Sequence, residues 1–109
     1  EVIKSSGTNV TPREVELALE ELPEVMHAFV LGIPHTDRGE DVAAAVVLRP
    51  GAEAGPDELR AAVKEVLSTY KVPRHLALFA TPRDLPWLES GKIDRRAVQQ
   101  LLVDEFAEQ

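Results

Sequence analysis

Three places in this 109-residue chain carry side chains suited to chemistry on anions. The first is Lys92, in the run Leu85-Pro86-Trp87-Leu88-Glu89-Ser90-Gly91-Lys92-Ile93-Asp94-Arg95-Arg96. A lysine behind a turn glycine is a long-armed point charge on an exposed loop, and Asp94 is spaced to cap a helix that follows. Such a cation can hold two anions together while one attacks the other. On its own, Ser90-Gly91-Lys92 is also what an ordinary solvated turn contains. The second place is Tyr70-Lys71-Val72-Pro73-Arg74. An aromatic ring beside two cations suits a base and its phosphates, or is a tyrosine packed at a helix end with solvated neighbours. The third is Gly7, which supplies either a turn conformation or a close backbone approach that a side chain would hinder.

Composition narrows the setting for these groups. The formal charge of −7 argues against a general nucleic-acid surface, which needs clustered cations. The absence of cysteine removes disulfides, thiolate metal sites and a cysteine nucleophile, and fits a reducing cytoplasm. His27, His35 and His75 lack the i, i+4 pairing of a helical zinc site, so no metal site is expected. A chain of this length makes about one domain with a modest core, short for a two-substrate enzyme acting alone. It opens Glu1-Val2-Ile3-Lys4, with no initiator methionine, signal peptide or bilayer-spanning run, and reads as an excised soluble segment with no membrane partner.

The elements that must position those groups follow from periodicity and punctuation. Val2 to Ser6 and Thr8 to Val10 form a small hairpin about Gly7. Thr11-Pro12-Arg13-Glu14 starts a helix, with a threonine cap, proline at the first position and glutamate completing a capping box. Val15, Ala18, Leu19 and Leu22 mark its apolar face, and Glu16, Glu20, Glu21 and Glu24 read as a solvated acidic surface. Val25 to Ile33 and Asp41 to Leu48 are buried strands, antiparallel across the Pro34 to Gly39 connection. A helix from Pro56 or Asp57 carries Leu59, Ala62, Val63, Val66 and Leu67 inward, with Arg60 and Lys64 outside. Leu76 to Ala80 is a third strand, and the last helix, from about Arg95, faces inward with Ala97, Val98, Leu101, Leu102 and Phe106. The sum is an α+β domain: a small three-stranded sheet flanked by helices, with a short N-terminal β-hairpin.

Four of these stretches occur in an order and at a spacing by which nearly the whole chain resembles the C-terminal domain of AMP-forming acyl-CoA synthetases. That superfamily also holds nonribosomal peptide adenylation domains and beetle luciferases. The stretches are Ile3-Lys4-Ser5-Ser6-Gly7-Thr8-Asn9-Val10 with Pro12-Arg13-Glu14-Val15-Glu16, Gly32-Ile33-Pro34 with Gly39-Glu40, Tyr70-Lys71-Val72-Pro73-Arg74, and Ser90-Gly91-Lys92-Ile93-Asp94-Arg95.

The resemblance implies that residues 1–109 are a mobile lid whose large N-terminal domain, with its phosphate loop and acyl pocket, lies upstream. The lid alone is then expected to be inactive. Enzymes of the family join a carboxylic acid to ATP, giving an acyl-adenylate and pyrophosphate, and then pass the acyl group to the thiol of coenzyme A. Mg2+ accompanies ATP in the full-length enzyme, and no cofactor is expected to be held by the lid alone. The lid swings on a hinge between the two half-reactions, a rigid-body switch. Lys92 matches the adenylation lysine, the Ser6-Gly7 loop approaches the pantetheine tunnel, and Tyr70 and Arg74 lie near the nucleotide end of coenzyme A. In bacterial members the equivalent lysine is acetylated by protein acetyltransferases, which would erase its charge and makes such an enzyme an expected partner.

Two departures stand out. Trp87 and Leu88 occupy positions where the family commonly has a basic residue and a threonine, and Arg38 lies where related ligases often carry an aromatic residue. Two alternative functions follow from the same residues: the lid of a peptide-synthetase adenylation domain, or an isolated recognition domain for a protein lysine acetyltransferase.

Overall fold

The computed structural model describes residues 1–106. The chain begins with a tight hairpin of β1 (Ile3–Ser5) and β2 (Thr8–Val10), paired from Ile3↔Val10 to Ser5↔Thr8. Its two turn residues both take positive φ, 52° at Ser6 and 81° at Gly7, the twist that a two-residue hairpin loop demands. Helix α1 (Pro12–Glu20) follows, with Pro12 at its first turn. Strands β3 (Val25–His35) and β4 (Gly39–Leu48) pair antiparallel along their whole length. Helix α2 (Pro56–Lys64) then carries the chain back so that β5 (His75–Phe79) runs parallel to β4, from Ala43↔His75 to Val47↔Phe79. Helix α3 (Arg95–Glu105) completes the described fold.

The sheet has five strands rather than the expected three. Because β3 occupies one side of β4 throughout, β1 and β5 share the other side in succession, β1 at Ser5↔Gly39 and β5 further along. The N-terminal hairpin is therefore part of the sheet. The single pair that attaches it, at the mouth of the β3–β4 turn, has no local sequence signature.

Strand alternation divides the core in two. Val42, Ala44 and Val46 face Val15 and Leu19 of α1 and Leu59 and Val63 of α2, while Ala43, Ala45 and Val47 face Val98 and Leu102 of α3. The sheet is thus covered on both faces, and β4 is apolar from Val42 to Leu48 because neither face meets water there. Two expected inward positions point outward: Val66 is 73% exposed, since α2 ends at Lys64, and Leu101 is 39% exposed.

The free edge of β3 is covered by side chains instead of a sixth strand. Glu20 accepts from the Ala28 amide at 3.2 Å and Glu16 from the Val30 amide at 2.8 Å, while Arg95 donates to the Val30 carbonyl at 2.7 Å and Gln99 to the Gly32 carbonyl at 2.7 Å. Pro34 belongs to the strand, beyond the expected end at Ile33. The alternation set by Ala28 and Val30 points the proline nitrogen at this same edge, where no ladder bond is needed.

Candidate functional site

Lys92 sits on a short hairpin that closes between Trp87 and Ile93. The Leu88 amide donates to the Lys92 carbonyl at 2.8 Å, the Gly91 amide to the Leu88 carbonyl at 2.9 Å, and the Asp94 amide to the Pro86 carbonyl at 3.1 Å. Gly91 takes φ 92°, which a side chain would oppose. Asp94 then caps α3, accepting from the Ala97 amide at 3.1 Å, as its position in the sequence predicts. The Lys92 side chain is exposed and makes no hydrogen bond or ion pair among the described residues. Its charge is available.

Trp87 orders this loop in a way a threonine could not. Its ring stands edge-on to Phe29 with centroids 5.8 Å apart, and its indole nitrogen donates to the Pro82 carbonyl at 2.8 Å. Leu88 beside it stays 48% exposed. The loop is thus held by ring packing on the Phe29 side of the sheet and by one indole hydrogen bond.

The other two groups meet elsewhere. An open cleft of about 860 Å³ is lined by Ser5, Ser6 and Thr8 of the hairpin, Arg60, Ala61 and Lys64 of α2, and Thr69, Tyr70, Val72, Pro73 and Arg74. Tyr70 and Arg74 therefore share a cavity with the loop that holds Gly7, and Lys92 does not line it. Nothing stands within 4 Å of where a Gly7 Cβ would be, so its glycine serves the positive φ and leaves space in front of it. Arg60 and Lys64 read in the sequence as solvated residues of an amphipathic helix; with Arg74 they make the cleft cationic on a chain of net charge −7. Only the cleft that folding opens between α2 and the hairpin reveals that.

The capping box expected at Thr11 does not form, because the threonine side chain makes no cap bond and the Glu14 carboxylate turns to Lys71 at 3.0 Å. This contact holds the Lys71 ammonium above its usual pKa and occupies it. Lys71 also lies 5.7 Å from the centroid of the Tyr70 ring. Of the two cations beside Tyr70, Arg74 is the one that lines the cleft.

Two buried carboxylates escape sequence inspection. Glu16, 4% exposed, contradicts its reading as part of a solvated acidic surface, since it meets Val30, Arg13 and Arg95. Asp41, 2% exposed, is bound by both Arg38 and His75, with the Arg74 Nε 3.8 Å away. Arg38 is thereby turned onto Asp41, and its carbonyl accepts from the Ser6 amide at 2.9 Å. Among the described residues no group of three or more His, Cys, Asp and Glu side chains could hold a metal ion, and no helix is long and apolar enough to cross a membrane.

This architecture is that of a known class of domains. The family model for the C-terminal domain of AMP-binding enzymes matches residues 14–92, and the chain belongs to that family. It is 42% identical over 96 residues to a long-chain-fatty-acid–CoA ligase of Bacillus subtilis, covering 88% of this chain and 17% of that protein. The fold matches an acyl-CoA synthetase of Brucella canis with a TM-score of 0.84 at 39% identity, over 96% of this chain and 19% of that one. It also matches ATP-bound MatB of Rhodopseudomonas palustris with a TM-score of 0.87 at 27% identity, over 96% and 20% of the two chains. The chain thus spans about a fifth of the length of these relatives.

Proposed function

We propose that this domain is the mobile lid of an AMP-forming acyl-CoA ligase, with Lys92 as the adenylation lysine. In the first half-reaction a carboxylate oxygen of the acid attacks the α-phosphorus of ATP. A P–O bond forms, the bond to the β-phosphate bridge breaks, and pyrophosphate leaves. The attack brings two anions together, and an ammonium between them lowers their repulsion and holds the in-line geometry. The observation that carries the reading is an uncommitted Lys92 side chain on a hairpin fixed by Trp87, Gly91 and Asp94. Mg2+ is expected to travel with ATP in the full-length enzyme.

In the second half-reaction the thiol of coenzyme A attacks the acyl carbon, giving the thioester and releasing AMP. The cationic cleft beside Gly7 receives the nucleotide end of coenzyme A, with Tyr70 offering a ring to the base and Arg74 a guanidinium to phosphate. Two candidate surfaces, one seated on the α3 side and one walled by α2, suit a lid that presents them in turn to its N-terminal domain. An exposed Lys92 is also open to a protein acetyltransferase, and acetylation would remove the charge that adenylation needs.

In the intact ligase, Lys92→Ala should slow adenylation by about 10² to 10³-fold, while thioester formation from supplied acyl-adenylate changes by less than about threefold. Unchanged adenylation would overturn the assignment. A preference for a carrier protein's phosphopantetheine over free coenzyme A would favour a peptide-synthetase lid instead. After incubation with an acetyltransferase, mass mapping should find the acetyl group on Lys92, and modification confined to Lys4, Lys64 or Lys71 would remove the regulatory role.

A further inference from the structure

Among the described residues the Lys92 side chain has no hydrogen-bond or ion-pair partner that could aim it, so its placement depends on the backbone that carries it. That backbone is anchored at Arg95, three residues on and the first residue of α3. The Arg95 guanidinium donates to Glu16 Oε2 at 3.2 Å and to the Val30 carbonyl at 2.7 Å, and the same Glu16 oxygen accepts from the Val30 amide at 2.8 Å. Glu16 Oε1 is in turn held by Arg13 at 3.2 Å. A carboxylate from α1 and a guanidinium from α3 thus close on one residue of the edge strand, and lock the start of α3 to it.

From this clamp the path to Lys92 is short. Asp94 precedes Arg95, caps the helix through its side chain and ties its amide to Pro86. Ile93 pairs with Trp87, and Lys92 accepts from Leu88. The Asp94 end of the lysine hairpin therefore stands on the base that the clamp fixes, while Trp87 holds the other end against Phe29 and the Pro82 carbonyl. Glu16 is buried, and its charge is offset by Arg95 and Arg13, so removing either charge disturbs the other.

We infer that Glu16 and Arg95 are positioning residues for Lys92: they set the base of its hairpin so that the ammonium reaches the adenylation site. This rests on the assignment of Lys92 above. The two claims separate in experiment. In the intact ligase, Glu16→Gln, which keeps shape and an acceptor but removes the charge, should slow adenylation about tenfold and leave the thioester half-reaction within about twofold, because misplacing a reacting group costs rate steeply. Arg95→Lys keeps the charge but cannot grip Glu16 and Val30 with one planar group, and should behave the same way. In a Lys92→Ala background neither change should reduce adenylation further, since nothing remains to be aimed.

The same loss with and without Lys92, or equal losses in both half-reactions, would mean that the clamp is merely structural and overturn the inference. A second readout does not involve activity. In this chain, amide exchange of Leu88 and Asp94 should accelerate in Glu16→Gln more than that of Val46 in the central strand; uniform acceleration would also overturn it. If Lys92→Ala leaves adenylation intact, the functional assignment fails while this exchange pattern still tests whether the clamp orders the hairpin.

Discussion

The guanidinium of Arg38 grips the carboxylate of Asp41 with two hydrogen bonds, 2.7 Å to Oδ1 and 3.1 Å to Oδ2. His75 Nε2 lies 3.0 Å from the same Oδ2. The grip of Arg38, with His75 and the nearby positive charges, holds the Asp41 carboxyl down at a pKa of about 2 against the opposing effect of its burial. Arg38 also accepts the Ser6 amide through its carbonyl, and the Arg74 amide donates to the Val42 carbonyl next to Asp41. One buried carboxylate therefore ties together the two rims of the cationic cleft.

A carboxyl more acidic when folded than when unfolded stabilises the fold fully above the unfolded pKa near 4, and that contribution is lost as pH falls toward 2. Shifts of this size are worth about 2 kcal/mol. Asp41→Asn should lower stability by about that amount at pH 7 and flatten the acid flank between about pH 4 and pH 2. Urea unfolding at a series of pH values tests this, and parallel stability curves for the two proteins would refute it.

Lys71 and Arg74, three residues apart, should not be equivalent. Lys71 is engaged by Glu14, whereas Arg74 lines the cleft with Arg60 and Lys64. Arg74→Ala and Lys64→Ala should each raise the KM for coenzyme A by roughly ten- to a hundredfold, the usual worth of one charge-assisted phosphate contact. Lys71→Ala should leave it nearly unchanged. Steady-state kinetics with coenzyme A varied would decide, and equal effects at Lys71 and Arg74 would contradict the arrangement.

Gly7 separates conformation from bulk. Its positive φ predicts that Gly7→Ala costs about 1 kcal/mol, while Gly7→Asn, a residue that tolerates this region, costs less. Both variants keep the open space around the loop short of any clash within the domain. If the loop approaches the pantetheine arm, Gly7→Asn should impair thioester formation and spare adenylation. Loss of both in proportion to the stability change would point to the turn alone.

Trp87 should matter through its ring more than its nitrogen. Trp87→Ala removes the edge-on contact with Phe29 and the bond to Pro82, and should cost about 2 kcal/mol, less than a fully buried aromatic because the residue is 40% exposed. Trp87→Phe should recover more than half of that and most of the adenylation rate. Thermal unfolding and half-reaction assays on both variants check the order, and a Phe variant as damaged as the Ala variant would assign the effect to the hydrogen bond.

What the sequence made legible was local. The paired strands, the proline-started helices, the turn at Gly7 and the cap at Asp94 follow from neighbours within a few residues, and the structure keeps each of them. What it hid was set by distant partners. Glu16 and Glu20 stand four apart among other acids, and only the unpaired edge of β3, brought against them by folding, distinguishes them from solvated residues. Arg60 and Lys64 look like the wet side of a helix until the hairpin arrives opposite them. The parallel placement of β5 beside β4 is likewise a consequence of where α2 returns the chain, not of any residue in β5.

The side chains that cover β3 also restrict what the domain can become. A bare edge strand is a template on which another strand can dock, within one molecule or between two. Here the Ala28 amide, the Val30 amide and carbonyl and the Gly32 carbonyl are already answered by Glu20, Glu16, Arg95 and Gln99, and Pro34 offers no donor. If the domain acts as the proposed lid, leaving one surface and settling on another would expose it at each turnover, and a capped edge would keep that exposure from recruiting a neighbouring chain.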